Sequence, residues 1–291
     1  MARTNTLGGP VQRTGTTAER LRLRAFRVPV LVLALLGAIA VISGINQLVA
    51  PVALLALPVG IGLAVAAVTG YERLSRAVEL RTSVPELDPA GRWSLMGRGA
   101  LLGVGAFATV LLVIAVFGGW KDLSWGSFGG FAAAAGMMAS VAAIEEVLFR
   151  GVVFRILEER AGTVVALVAS SVLFGATHLV NANATLWGTL AIALTGGTML
   201  AAAYVATRSL WLPIGLHFAW NFSLAGVFGV AVSGSDAPAD GLLETTLSGP
   251  SLLTGGAFGP EASLLALLVC LPPTVLFLRR AARTGQIRRR R

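Results

Sequence analysis

The chain has 291 residues, of which 55% are hydrophobic and only 13% charged, with a mean hydropathy of +0.79. A soluble domain carries about a quarter charged residues, so a water-soluble globule is excluded, and repeated apolar runs of about 18 residues or more indicate many bilayer crossings. The formal charge of +9 is concentrated at the ends, with six arginines before Val28 and seven from Arg279 onward, as expected of clusters that set orientation and touch anionic lipid; no aromatic-studded basic groove accompanies it, which excludes a nucleic-acid surface.

Residues 1–27 are Thr- and Arg-rich and predict a mobile basic cytoplasmic tail. The Arg-rich start before an apolar run mimics a signal peptide, but Val28–Ala50 is too long for that and reads as an uncleaved first span. Spans are predicted near 28–50, 52–71, 99–119, 130–157, 163–180, 186–207, 210–233 and 261–279, an all-α polytopic membrane bundle of eight helices. Pro51 marks the first turn, where a missing N–H does least harm. Arg73, Arg76, Arg81, Arg92 and Arg98 fill the connection after the second span, Arg155 and Arg160 flank the turn after the fourth, and Arg208 follows the sixth. The connections after spans one, three, five and seven hold only Lys121 as a base, so both termini are expected in the cytoplasm. The chain thus divides into the tail 1–27, N-terminal helices 28–119, a helical core 127–233, an extracytoplasmic loop 234–260 with Asp236, Asp240 and Glu244, and a last span with a basic tail, 261–291. Cys270, the only cysteine, excludes an intramolecular disulfide and any cysteine-based metal cluster and reads as a packing residue.

Glu145 and Glu146 sit inside the apolar fourth span, and carboxylates at membrane depth are costly enough to signal function. Glu146 and Arg150, four residues apart, share a helix face and suit an ion pair, while Glu145 points about 100° away. That geometry leaves Glu145 as the free general acid or base. The only two histidines lie in apolar spans, in Phe174-x-x-x-His178 and in His217-x-x-x-Asn221, whose spacing puts both side chains on one face. At ~1.5 Å per residue, Glu145, His178, His217 and Asn221 reach overlapping depths, so one pocket can hold all four. For each motif alone a packing role competes: a structural Glu146–Arg150 pair, a hydrogen-bonded core histidine, or Asn221 as interhelical glue.

Glu-Glu-x-x-x-Arg, Phe-x-x-x-His and His-x-x-x-Asn in this order resemble the CPBP family of intramembrane proteases, which includes the type II CAAX prenyl protease and bacteriocin-processing or self-immunity proteins. The resemblance covers about residues 127–225 and extends to Phe149-Arg150-Gly151 and Leu212-Pro213-Ile214. It implies an endopeptidase in which Glu145 and His178 polarise a water, His217 and Asn221 hold the oxyanion, and Glu146, Arg150 and Phe174 support them. A Zn²⁺ on Glu145, His178 and His217, with water in the fourth place, is an alternative. It lacks a His-Glu-x-x-His helix, and an amide suits an oxyanion better than zinc, so the metal-free form is favoured. The substrate expected is a membrane-associated protein or peptide, and the Arg-, Gly- and Ala-rich usage suggests a bacterial plasma membrane. A proton- or cation-coupled transporter and an inactive scaffold are the competing classes; no repeated half supports the first.

Overall fold

A computed structural model describes residues 17–236 and 240–290, of which 17–25 are described as backbone alone. Residues 1–16 of the expected tail lie outside the described residues. From Thr17 the chain is already helical: α1 (Thr17–Val49) takes in the rest of that stretch, whose Ala, Glu, Arg and Leu residues are good helix formers. α2 (Ala53–Glu79) returns, and α3 (Arg92–Val116) crosses again.

A short ribbon follows, which helix-period patterning does not reveal. Strand β1 (Trp120–Trp125) pairs antiparallel with β2 (Leu243–Leu247), tying the long 234–260 connection to the loop before the fourth helix. The bundle is therefore helical with one two-stranded appendage.

Helix α4 (Phe128–Glu146), capped by Ser127, continues through a π-helical segment, Val147–Phe154, into α5 (Arg155–Ala176). The path then runs through α6 (Leu186–Ile192), α7 (Thr198–Thr207), α8 (Trp211–Phe222), the four-residue α9 (Ser251–Thr254) and α10 (Leu264–Arg283).

Six helical stretches among the described residues are long and apolar enough to cross a membrane, against the eight expected. The difference has two sources. One stretch, Phe128–Val180, is 53 residues long. At ~1.5 Å per residue it would measure about 80 Å, far more than a hydrocarbon core of about 30 Å, so it is not one straight crossing. Gly162 breaks it, with φ of 81° and ψ of 170°. The other source is α8, which with its π-helical end Ser223–Val227 covers a shorter run than the predicted seventh span.

Small residues set the helix spacing. A Cβ on Gly103 of α3 would lie 2.5 Å from the Leu216 carbonyl oxygen of α8, and one on Gly215 would lie 2.2 Å from the Met96 carbonyl oxygen. α2 and α4 touch in the same way at Gly60 and Gly136. Backbone contact of this kind is how helices associate without a hydrophobic drive between them. Gly103→Val is expected to lower the unfolding temperature in detergent, since backbone atoms stand where the side chain must go. Gly105→Ala, in open space, should leave it unchanged or slightly higher.

The arginines gather at one end of the bundle. Arg27 pairs with Glu79 at 3.2 Å and Glu159 at 2.6 Å, Arg155 with Glu79, and Arg208 with Glu158. Beside the Gly162 break, the Thr163 amide donates to the Arg288 carbonyl at 3.0 Å, and the Arg288 amide donates to Thr163 Oγ1 at 2.8 Å. The C-terminal arm is thereby docked across this end.

Glu86, in the connection between α2 and α3, accepts two bonds of 2.6 Å from Arg81 and one of 2.5 Å from the Tyr71 hydroxyl. Burial pushes its carboxyl up, but the bonds from Arg81 and Tyr71 and the Arg81 charge win and hold it below its ordinary value. A depressed carboxyl stabilises the fold above its unfolded pKa of about 4.3 and loses that contribution as pH falls through its folded value. Glu86→Gln should therefore be less stable at neutral pH and show a shallower loss on acidification, measured by thermal unfolding from neutral pH to about pH 3.

Candidate active site

Apart from Glu145 and Arg150 the sequence around residue 146 is apolar, so a charge at 146 has little chance of reaching water. Glu146 and Arg150 are almost fully buried. They are joined by a 2.8 Å bond from Arg150 Nη1 to Glu146 Oε1. The other guanidinium nitrogen donates to the carbonyls of Gly197 at 3.0 Å and Gly196 at 3.3 Å, at the π-helical turn Ala193–Gly197 between α6 and α7. Its plane lies over the Phe174 ring, 4.7 Å from the centroid. Arg150 thus joins three elements, which explains why a guanidinium stands here.

Phe174 is the hub of the aromatic packing. Its ring lies 5.2 Å from that of His178, 5.8 Å from His217 and 5.0 Å from Phe149. His178, in the tight turn Thr177–Val180 that ends α5, donates Nδ1–H to the Phe174 carbonyl at 2.9 Å. That bond fixes the ring and leaves Nε2 with its lone pair free. On α8, His217 donates Nδ1–H to Glu146 Oε1 at 2.9 Å, and its Nε2 faces Glu145 Oε2 at 3.8 Å. A carboxylate behind an imidazole fixes its tautomer and orientation. Spacing alone pairs Glu146 with Arg150; it does not reveal that the same oxygen also holds His217.

Glu145 differs from its neighbour in exposure. Its side chain is 22% accessible, against 0% for Glu146. It lines a cavity of about 620 Å³ together with His178 and Asn221. Beside this lies a small space of about 20 Å³ bounded by Phe174, His178, His217, Asn221, Ser233 and Glu261. That volume is what one water needs. His178 and Asn221 border both spaces, so the four expected residues do converge, with Phe174 packed beside them.

Among the described residues no three His, Cys, Asp or Glu side chains are placed to hold an ion. Glu145, His178 and His217 do not form such a group in this geometry.

Residues 125–223 match the family model described as type II CAAX prenyl endopeptidase, Rce1-like. The match is consistent with a CPBP-type protease. No curated protein and no solved structure matches the chain.

The matched stretch is closed by groups outside it, from the first predicted span and from the start of the last. α1 contributes Ser43, Asn46 and Gln47 to the cavity wall, and Asn46 donates to Ser140 Oγ of α4 at 2.8 Å. Glu261, expected only as the first residue of the last span, is 3% exposed and accepts from Trp220 Nε1 at 2.8 Å, the Ser233 amide at 2.7 Å and the Ser233 hydroxyl at 2.8 Å. The Ser233 carbonyl in turn accepts from Asn181 at 2.7 Å, three residues after His178. Glu261 so links the α8 face beside Asn221 to the turn that carries His178. All of its partners are donors, so Glu261→Gln turns at least one bond into a donor–donor clash. A loss of about 1.5–3 kcal/mol is expected in chemical unfolding, the worth of a hydrogen bond to a charged group.

Proposed function

We propose that the chain is an intramembrane endopeptidase that hydrolyses a peptide bond of a membrane-associated protein or peptide with a glutamate-activated water. One observation carries this reading. A partly exposed carboxylate, a histidine with a free Nε2 and an amide side chain meet on a single cavity, while the neighbouring carboxylate is locked into support.

Water held between Glu145 and His178 gives its proton to the Glu145 carboxylate as its oxygen bonds to the scissile carbonyl carbon. His178 Nε2 accepts from the same water and orients it. The carbonyl oxygen becomes an oxyanion, which takes hydrogen bonds from the Asn221 amide and, with the ring doubly protonated, from His217 Nε2. When the C–N bond breaks, Glu145 returns its proton to the leaving amine. Glu146 and Arg150 act through His217 by fixing its ring. The termini are read as cytoplasmic because the arginine-rich end of the bundle carries nearly all the connecting bases.

The test places purified chain in vesicles with membrane-anchored peptides and reads new termini by mass spectrometry. Cleavage is expected from wild type and not from Glu145→Ala or His178→Ala. Equal cleavage by both variants would end the proposal.

A further inference from the structure

The two large cavities lie at opposite ends of the molecule, and a sealed layer divides them. The arginine-end cavity, about 740 Å³, is lined by Arg27, Arg81, Arg155, Arg208 and their glutamate partners. The cavity that holds Glu145 runs the other way, past Ser43 and Gln47 near the far end of α1 to Asn181, Ser235 and Asp236. Between them stand Tyr71, Phe149, Arg150, Phe154 and Met199, each 4% exposed or less. The accessible part of Glu145 is therefore reached from the far end.

That far end is acidic. Among the described residues its connections carry Asp122, Asp236, Asp240 and Glu244 against Lys121, whereas the opposite end carries the arginines. Basic loops stay in the cytoplasm, so the acidic end faces out. The walls of the cavity follow the same gradient, with Leu36, Ile39, Met137 and Val141 deep in the membrane and Asn181 and Asp236 at the mouth.

We infer that the active-site cavity is entered from the extracytoplasmic side and takes a membrane-anchored polypeptide whose apolar stretch lies in the outer half of the bilayer, with a basic residue beyond it at Asp236. This rests on the protease reading for its chemistry but on the cavity alone for its side. A protein anchored at the cytoplasmic surface would meet the arginine end and the buried layer instead.

The test uses the full chain in sealed cells, on a Cys270→Ala background that removes the sole thiol. Single cysteines are placed by Glu145→Cys in the cavity, Gln47→Cys at its mouth and Arg288→Cys at the arginine end. A membrane-impermeant maleimide added outside is expected to label the first two, and Arg288→Cys only after permeabilisation. Labelling of Arg288→Cys alone from outside, or of the cavity positions only after permeabilisation, overturns the proposed side. Labelling needs no turnover, so it is independent of the protease reading. In a second arm, single-span reporters carry one cleavable stretch at either the outer or the inner membrane boundary. Cutting of the outer reporter alone is expected, and replacing its basic flank by an acid should reduce it. Cutting of the inner reporter alone overturns the inference. Cutting of neither, with labelling as expected, overturns the protease reading instead.

Discussion

Glu145→Gln is expected to lower turnover by about 10²–10⁴-fold, the range for loss of a positioned general acid–base. The substitution keeps the volume and removes the proton acceptor. Its cost in stability should be small, because Glu145 is the less buried member of the pair and its nearest ion-pair distance, to His217 Nε2, is 3.8 Å. The loss should fall on kcat and on kcat/KM alike, with KM little changed, since the carboxylate acts on the water and not on the bound peptide. Asn221→Ala offers the comparison. As an oxyanion donor it should cost about 10²–10³-fold, and with Glu145→Gln the two losses should fall short of additivity if both serve one step. A Glu145→Gln variant that cleaves as fast as wild type would remove water activation from this residue.

Much of that site can be read from the sequence because membrane burial makes charge rare. Two mid-span carboxylates, two histidines and Asn221, one of few amides in the spans, stand out against apolar helices, and i, i+4 spacing already assigns Arg150 to Glu146. The division between Glu145 and Glu146 follows from the same periodicity. Less visible is whatever depends on helix deformation. The π-helical segment Val147–Phe154 begins directly after Glu146, and no pattern of side chains announces a widened turn. Likewise, Gly162 in a left-handed conformation explains why one 53-residue helical stretch is not one span, although the charges at Arg155 and Arg160 already marked a turn nearby. Glu261 is invisible for a different reason: an acid at the end of a span looks solvated until its partners, Trp220 and Ser233, are brought from 41 and 28 residues away. The ribbon of β1 and β2 is missed because exposed edge residues carry no clear alternation.

Arg150→Ala is expected to be the most damaging substitution for the fold, by about 3–5 kcal/mol, because it leaves Glu146 as a buried charge without its counterion. The pair itself is not an obvious gain in stability. Among the described residues Glu146 Oε2 and Arg150 Nε have no hydrogen-bond partner, so two costly atoms are desolvated without compensation there. Its value is orientational: one carboxylate oxygen holds both Arg150 and His217, and the guanidinium holds the Gly196–Gly197 turn and the Phe174 ring. Arg150→Lys should not restore this, since an ammonium has no planar fork to span the carboxylate, the two carbonyls and the ring face. A neutral double variant, Glu146→Gln with Arg150→Met, separates the roles. It removes both buried charges at similar volume and should recover most of the unfolding free energy lost in Arg150→Ala, as replacement of buried ion pairs commonly does. It should not recover turnover, because the Gln amide no longer fixes His217 as a carboxylate does. Recovery of both stability and turnover would show that Glu146 and Arg150 serve packing alone.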